Sequence, residues 1–230
     1  GDGDLTISAS LTIDTEDGDA SDAGNINLNA SNIFADADDF DLTLNASSGG
    51  GTETGGAVTL GVVDDNAGGN NFLDSLVVSA QGQTDGVVTL GGDISVDGDQ
   101  VTIDGLIQMA ASREIDTEAG NDETAGAVNL AVTSGSVSAT AAGADLTISA
   151  LQGAGAANGG AVRLGTIDNT GGNFLRDLTI DTSAANGTAG TVTLDSNISL
   201  DFSGTAGDFT LTGDGDLTIS ASLTIDTEDG

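Results

Sequence analysis

The sequence predicts an all-β fold, a right-handed parallel β-helix (β-solenoid) with about three short strands per coil and about seven to eight coils. Three observations predict it. Apolar-Thr-apolar triplets recur along the whole chain, among them Leu5-Thr-Ile7, Leu42-Thr-Leu44, Val58-Thr-Leu60, Val101-Thr-Ile103, Leu146-Thr-Ile148 and Val192-Thr-Leu194. The triplets are separated by short corners of Gly, Asp, Asn and Ser. The last eighteen residues, Gly213 to Gly230, repeat Gly1 to Gly18 without one change.

Each triplet alternates with period two, so its aliphatic residues share one face and its Thr takes the other. Thr is β-branched and suits a solvated pleated surface. From Val88 the strands begin at 88, 94, 101, 107 and 113, a step of six or seven residues that leaves room for one triplet and one corner. Gly91-Gly92-Asp93, Asp97-Gly98-Asp99 and Asp104-Gly105 supply those corners with residues that tolerate left-handed backbone. Longer Gly- and Ala-rich stretches, between Leu44 and Val58 and between Ile148 and Val162, give each coil one wider corner. Phe34, Phe40, Phe72, Phe174, Phe202 and Phe209 are expected to fill wide corners or cap loops. Two β-sandwich modules of about 100 residues are the competing architecture, but such modules need longer strands and an aromatic core. The chain has no Trp or Tyr.

The exact match sets a tandem period of 212 residues. A diverged repeat lies inside it. Gly55-Gly-Ala-Val-Thr-Leu-Gly61 returns as Gly159-Gly-Ala-Val-Arg-Leu-Gly165, Gly86-Val-Val-Thr-Leu90 as Gly190-Thr-Val-Thr-Leu194, and Ile94-Ser-Val-Asp97 as Ile198-Ser-Leu-Asp201. Ile107 to Glu118 likewise aligns with Leu217 to Glu228. Residues 1–230 thus read as one continuous solenoid segment, with half-units of roughly 1–106 and 107–212 and the next repeat opening at 213–230.

Thirty-seven acidic residues face only Arg113, Arg163 and Arg176, for a formal charge of −34. Nucleic acid is excluded as a partner because no basic footprint exists, and an anionic membrane surface is disfavoured for the same reason. A hydrophobic fraction of 37% exceeds that of a disordered acidic tail. No run is long enough for membrane insertion in this segment.

Carboxylates are the candidate chemistry. Asp36, Asp38, Asp39 and Asp41 form one cluster and Asp17, Asp19 and Asp22 another, each placing hard oxygen donors of the kind Ca²⁺ takes within a short stretch. Neither follows the EF-hand or nonapeptide calcium spacing. The competing reading is a solvated acidic face that keeps a rod soluble. No cofactor is required, with Ca²⁺ the one considered. Asn25, Asn27, Asn29 and Asn129 could build outward Asn ladders. Catalysis has little material: there is no His, Cys or Lys, and polysaccharide lyase chemistry needs a basic residue. The expectation is that this is not an enzyme.

Gly-Gly-Ala-Val-Thr-Leu-Gly (55–61), the run from Asp85 to Gly105 and Ala142-Gly-Ala-Asp-Leu-Thr-Ile-Ser-Ala150 resemble the repeats of filamentous-haemagglutinin-type bacterial exoproteins. The resemblance spans nearly the whole chain and lies in pattern, not in a site motif. It implies a secreted or cell-surface stalk, hence an extracellular setting, serving adhesion or matrix formation. The partners it implies are identical repeats along the fibre axis, laterally associated rods and a host-surface or polysaccharide ligand. The lack of Lys departs from many such proteins and counts against isopeptide cross-linking through Lys. Two other functions remain open: a calcium-responsive matrix or surface-layer protein, and a carbohydrate-active β-helix.

Overall fold

Short alternating strands cannot bury an apolar face alone, and this chain solves the problem by winding them onto one another. The computed structural model describes residues 3–16, 21–29, 32–37, 40–49, 52–64, 71–120, 124–131, 136–141, 143–153, 157–168, 175–202 and 205–228, with backbone only at 201, 202 and 205. Every described element is a strand.

The chain passes repeatedly over three faces in a fixed order. The first pass is β1 (Leu5–Ile7), β2 (Leu11–Asp14) and β3 (Ile26–Leu28), and the second is β4 (Ile33–Ala35), β5 (Asp41–Asn45) and β6 (Val58–Leu60). A single bridge at Val63 opens the third, followed by β7 (Leu73–Ser79) and β8 (Val87–Leu90). The fourth pass uses one long bent strand for two faces, β9 (Ile94–Asp104), and then β10 (Leu106–Met109). Next come β11 (Arg113–Asp116), β12 (Ala127–Leu130) and β13 (Ser136–Ala139), then β14 (Ala144–Ser149), β15 (Val162–Leu164) and β16 (Thr166–Ile167). The seventh pass is β17 (Leu175–Asp181), β18 (Val192–Leu194) and β19 (Ile198–Ser199). A small antiparallel hairpin of β20 (Asp201–Phe202) and β21 (Thr205–Ala206) interrupts the eighth before β22 (Phe209–Thr212), β23 (Leu217–Ile219) and β24 (Ile225–Asp226) complete it.

Each face is a parallel ladder. The third is an eight-stranded sheet, β24-β19-β16-β13-β10-β8-β6-β3; the second merges through β9 with β11, β14, β17 and β22 of the first into a twelve-stranded one, and β1 and β4 form a two-stranded sheet that the Val63 bridges link to it. Among the described residues the two terminal passes are stacked on one side only, leaving about six turns enclosed on both. This is the parallel β-solenoid with roughly three strands per coil that the spacing predicts.

Register makes the core. On the third face Ile26, Val58, Val88, Ile107, Val137, Ile167, Ile198 and Ile225 align as one unbroken β-branched column. The first face stacks Leu5, Ile33, Val63, Ile94, Ile115, Ile148, Ile180 and Leu211, and the second Leu11, Leu42, Leu76, Val101, Val128, Val162, Val192 and Leu217. Interior members such as Val58, Leu76 and Ile148 are fully buried, whereas Leu217, Ile219 and Ile225 at the last pass are exposed. A slip of one residue would turn a whole column to water, so these columns fix the register.

Corners are set by glycine. In each enclosed wide corner a carbonyl just past one strand accepts the N–H of a glycine leading into the next: Ala46 from Gly56, Ala80 from Gly86, Thr117 from Gly126, Ala150 from Gly160 and Thr182 from Gly190. These glycines stack so tightly that a Cβ on Gly160 would lie 1.9 Å from the Gly126 carbonyl oxygen, and one on Gly56 2.0 Å from that of Gly24. The tight corners at Gly98 (φ 129°) and Gly105 (φ 148°) use left-handed backbone.

Three sequence expectations are corrected. The corner Asp97-Gly98-Asp99 bends β9 without ending it. Asn ladders do not form among the described residues: Asn27 aligns with Thr59, and Asn129 with Thr102 and Arg163. Their carboxamide oxygens instead accept the backbone N–H groups of Asn29 and Ala131, a local bond that ties the side chain to its own corner. Phe34 sits inside a strand, not a corner, and is buried at the position aligned with exposed Thr6. Phe72 is buried beside β7, and Phe40 and Phe209 pack on the core; Phe174 and the Phe202 side chain lie outside the described residues.

Candidate functional site

The outward surface is built from carboxylates held by hydroxyls of the neighbouring pass. Ser8 donates to Asp36 at 2.6 Å, Ser75 to Asp41 at 2.6 Å, Ser10 to Asp41 at 3.3 Å and Ser112 to Asp145 at 3.1 Å. The donors lie about one pass from their acceptors. Successive passes bring Ser beside Asp at the same edge, so each bond stitches two coils and offsets the cost of fixing a charge.

The predicted metal residues divide between two edges. Asp36 follows β4 and Asp41 opens β5, at the edge where the chain turns from first to second face, and Asp22 lies between β2 and β3, where it turns from second to third. Asp22 accepts the Thr54 N–H at 2.7 Å. Asp17, Asp19, Asp38 and Asp39 lie outside the described residues. Among the described residues no three acidic side chains converge in a geometry that could hold a metal ion.

Asp14, Thr15, Glu16 and Ser21 line an open cleft of about 330 Å³ beside the second-to-third edge. Asp14 accepts the Glu16 N–H at 3.0 Å, and Asn45 donates to Asp14 at 3.1 Å from the next pass. The Glu16 carboxyl packs against Gly49, and its Oε1 is buried without a hydrogen-bond partner among the described residues.

Sequence reasoning had no signal for the charge networks that cross between passes. Arg176 donates to Asp145 at 2.6 Å and Asp177 at 3.0 Å, which raises its pKa above the ordinary value, with the Asp177 hydrogen bond the largest cause. Arg163 bonds Asp195 at 2.5 Å. The Ser220 hydroxyl first, and then Arg163, hold the Asp195 carboxyl below its usual range. Arg113 bonds main chain instead: its guanidinium donates to the Leu90 and Gly91 carbonyls at 3.1 and 2.7 Å, closing a corner of the pass before. Such partners stand 22 to 32 residues away, a separation that becomes meaningful only once the pass length is known.

Two strand-ending carboxylates are unfavourably placed, and Glu114, whose pKa is raised by burial and then by Asp116 and Asp93, lies near one of them. Asp104, at the end of β9, is 4% exposed, and burial pushes its pKa up to about 6, helped by Asp85 and opposed by a hydrogen bond from Gln81. Burial also raises Asp116, against the Glu118 N–H that favours its charged form. Both end strands, in outward columns whose cross-strand neighbours are neutral, Ser79 beside Asp104 and Ser95 and Ser149 beside Asp116. Comparisons with protein-family models, curated proteins and solved structures gave no match.

Proposed function

We propose that the chain is a structural rod segment of a large secreted or cell-surface fibre of the filamentous-haemagglutinin type, serving adhesion or an extracellular matrix. The observation that carries this reading is the pairing of continuous ladders with exact repetition. Backbone pairing runs along the axis, so adding a repeat adds hydrogen bonds and aliphatic column without adding edge. The partners are further copies of the same unit on the axis, with neighbouring rods or a surface polysaccharide at the sides. The role is mechanical and not catalytic, because each strand contributes to a column rather than to a convergent site.

Negative-stain images of the 230-residue chain should show short rods about 35–40 Å long, at roughly 4.8 Å per stacked strand. Paired globules would overturn the reading. A calcium-responsive matrix protein is the second reading, favoured by the acidic cleft at Asp14 and Glu16. It predicts a large fall in Tm on adding EDTA to calcium-saturated protein, whereas the rod reading predicts almost none.

A further inference from the structure

The repeated peptides do not return to the same face. Leu5–Ile7 is β1 on the first face, its diverged counterpart at Ile107–Met109 is in β10 on the third, and its exact copy Leu217–Ile219 is β23 on the second. The neighbouring peptide behaves alike: Leu11–Asp14 is on the second face, Arg113–Asp116 on the first and Ile225–Asp226 on the third. Val58–Leu60 pairs on the third face while Val162–Leu164 pairs on the second, and Val88–Leu90 and Val192–Leu194 differ in the same way.

One rule covers all of these. A half-unit fills eleven strand positions, counting the Val63 bridge as one and β9 as two, which is three turns and two faces. Two half-units fill twenty-two positions, seven turns and one face. The wide glycine corner moves accordingly, from the second-to-third edge at Gly56 and Gly86 to the first-to-second edge at Gly126, Gly160 and Gly190.

Resting on the rod reading above, we infer that successive copies of the 212-residue unit are each turned by one face, so that a binding surface carried by the unit points in three directions along the fibre. The rotation is about 120° per copy, and every third copy realigns after about 106 Å. Any surface feature carried once per unit therefore appears on three sides of the fibre in turn. Two parallel rods can bring like surfaces together only once in three units, which opposes flat lateral sheets.

Two measurements test this. In the 230-residue chain, cysteines at Thr193→Cys and Thr218→Cys, Cα partners on the second face, should cross-link on mild oxidation. Efficient linkage of Thr210→Cys to Thr218→Cys instead would place the exact copy over β22 on the first face and overturn the rotation. The second measurement uses three joined units, residues 1–212 in triplicate followed by 213–230, with Ala185→Cys in each labelled by a small electron-dense maleimide. Labels about 35 Å apart along a straight rod and turned by about 120° are expected. Labels in a single line on a straight rod would refute the rotation while leaving the rod intact, and a string of globules would refute both.

Discussion

Glycine and aspartate at the corners show how single residues hold this coil. Gly160→Ala would drive a methyl into the Gly126 carbonyl, where no flexible side chain can yield. A loss of about 2–4 kcal/mol is expected by denaturant unfolding, against almost none for Gly3→Ala, which meets nothing within 4 Å. Asp104 makes a pH-dependent contribution of opposite sign to the usual paired carboxylate. Its folded pKa of about 6 lies above the ordinary 3.8, so the folded state binds the extra proton and stability falls as pH rises through that window. Asp104→Asn should raise Tm near pH 7 by the equivalent of roughly 2–3 kcal/mol, with the gap to wild type closing by about pH 4. A gap that stays constant across the titration would show that burial does not act on this ionisation.

Strands act through their columns. Ile148 lies between Ile115 and Ile180 and is fully buried, so Ile148→Ala should cost about 2–5 kcal/mol. Ile219→Ala, on the open last pass and 53% exposed, should cost far less in the same unfolding series. Outward columns follow a second rule. Asp14, Asn45, Ser79 and Asp104 align in register, as do Asp116, Ser149, Asp181 and Thr212, so no two carboxylates stand side by side in either column. Like charges directly opposite on adjacent strands are destabilising, and neutral hydrogen-bonding residues separate them here. Asn45→Asp breaks that rule beside Asp14 and removes a 3.1 Å bond. Its Tm should drop in dilute buffer and recover in part in roughly 1 M salt, which screens the new repulsion but does not restore the lost bond.

At the scale of the whole molecule the charge of −34 opposes compaction. Wild-type Tm should therefore climb with NaCl over the range in which the Debye length shrinks from about 30 to about 3 Å, and thermal scans at fixed pH will check it. A Tm indifferent to salt would mean that the acidic side chains repel one another no more in the folded coil than in the unfolded chain. Exposed pairs of this kind contribute only about 0–1 kcal/mol each, so relief of the net repulsion by salt outweighs the loss of the pairs.

Much of this was legible in residues alone. Period-two triplets, the six- or seven-residue step and corner glycines are local properties, and together they determine parallel solenoid, strand positions from Val88 to Asp116 and the inward aliphatic face. The acidic surface was equally plain, although the predicted ligands among the described residues, Asp22 on the one hand and Asp36 and Asp41 on the other, lie on different edges. Hidden were the partners of Asp36, Asp41 and Asp145, the burial of Asp104 and the face that each repeated peptide occupies. Those depend on how many residues each corner consumes, since pairing is decided between passes and not along the chain. A peptide, its diverged counterpart and its exact copy accordingly lie on three different faces, and only the wound structure assigns them.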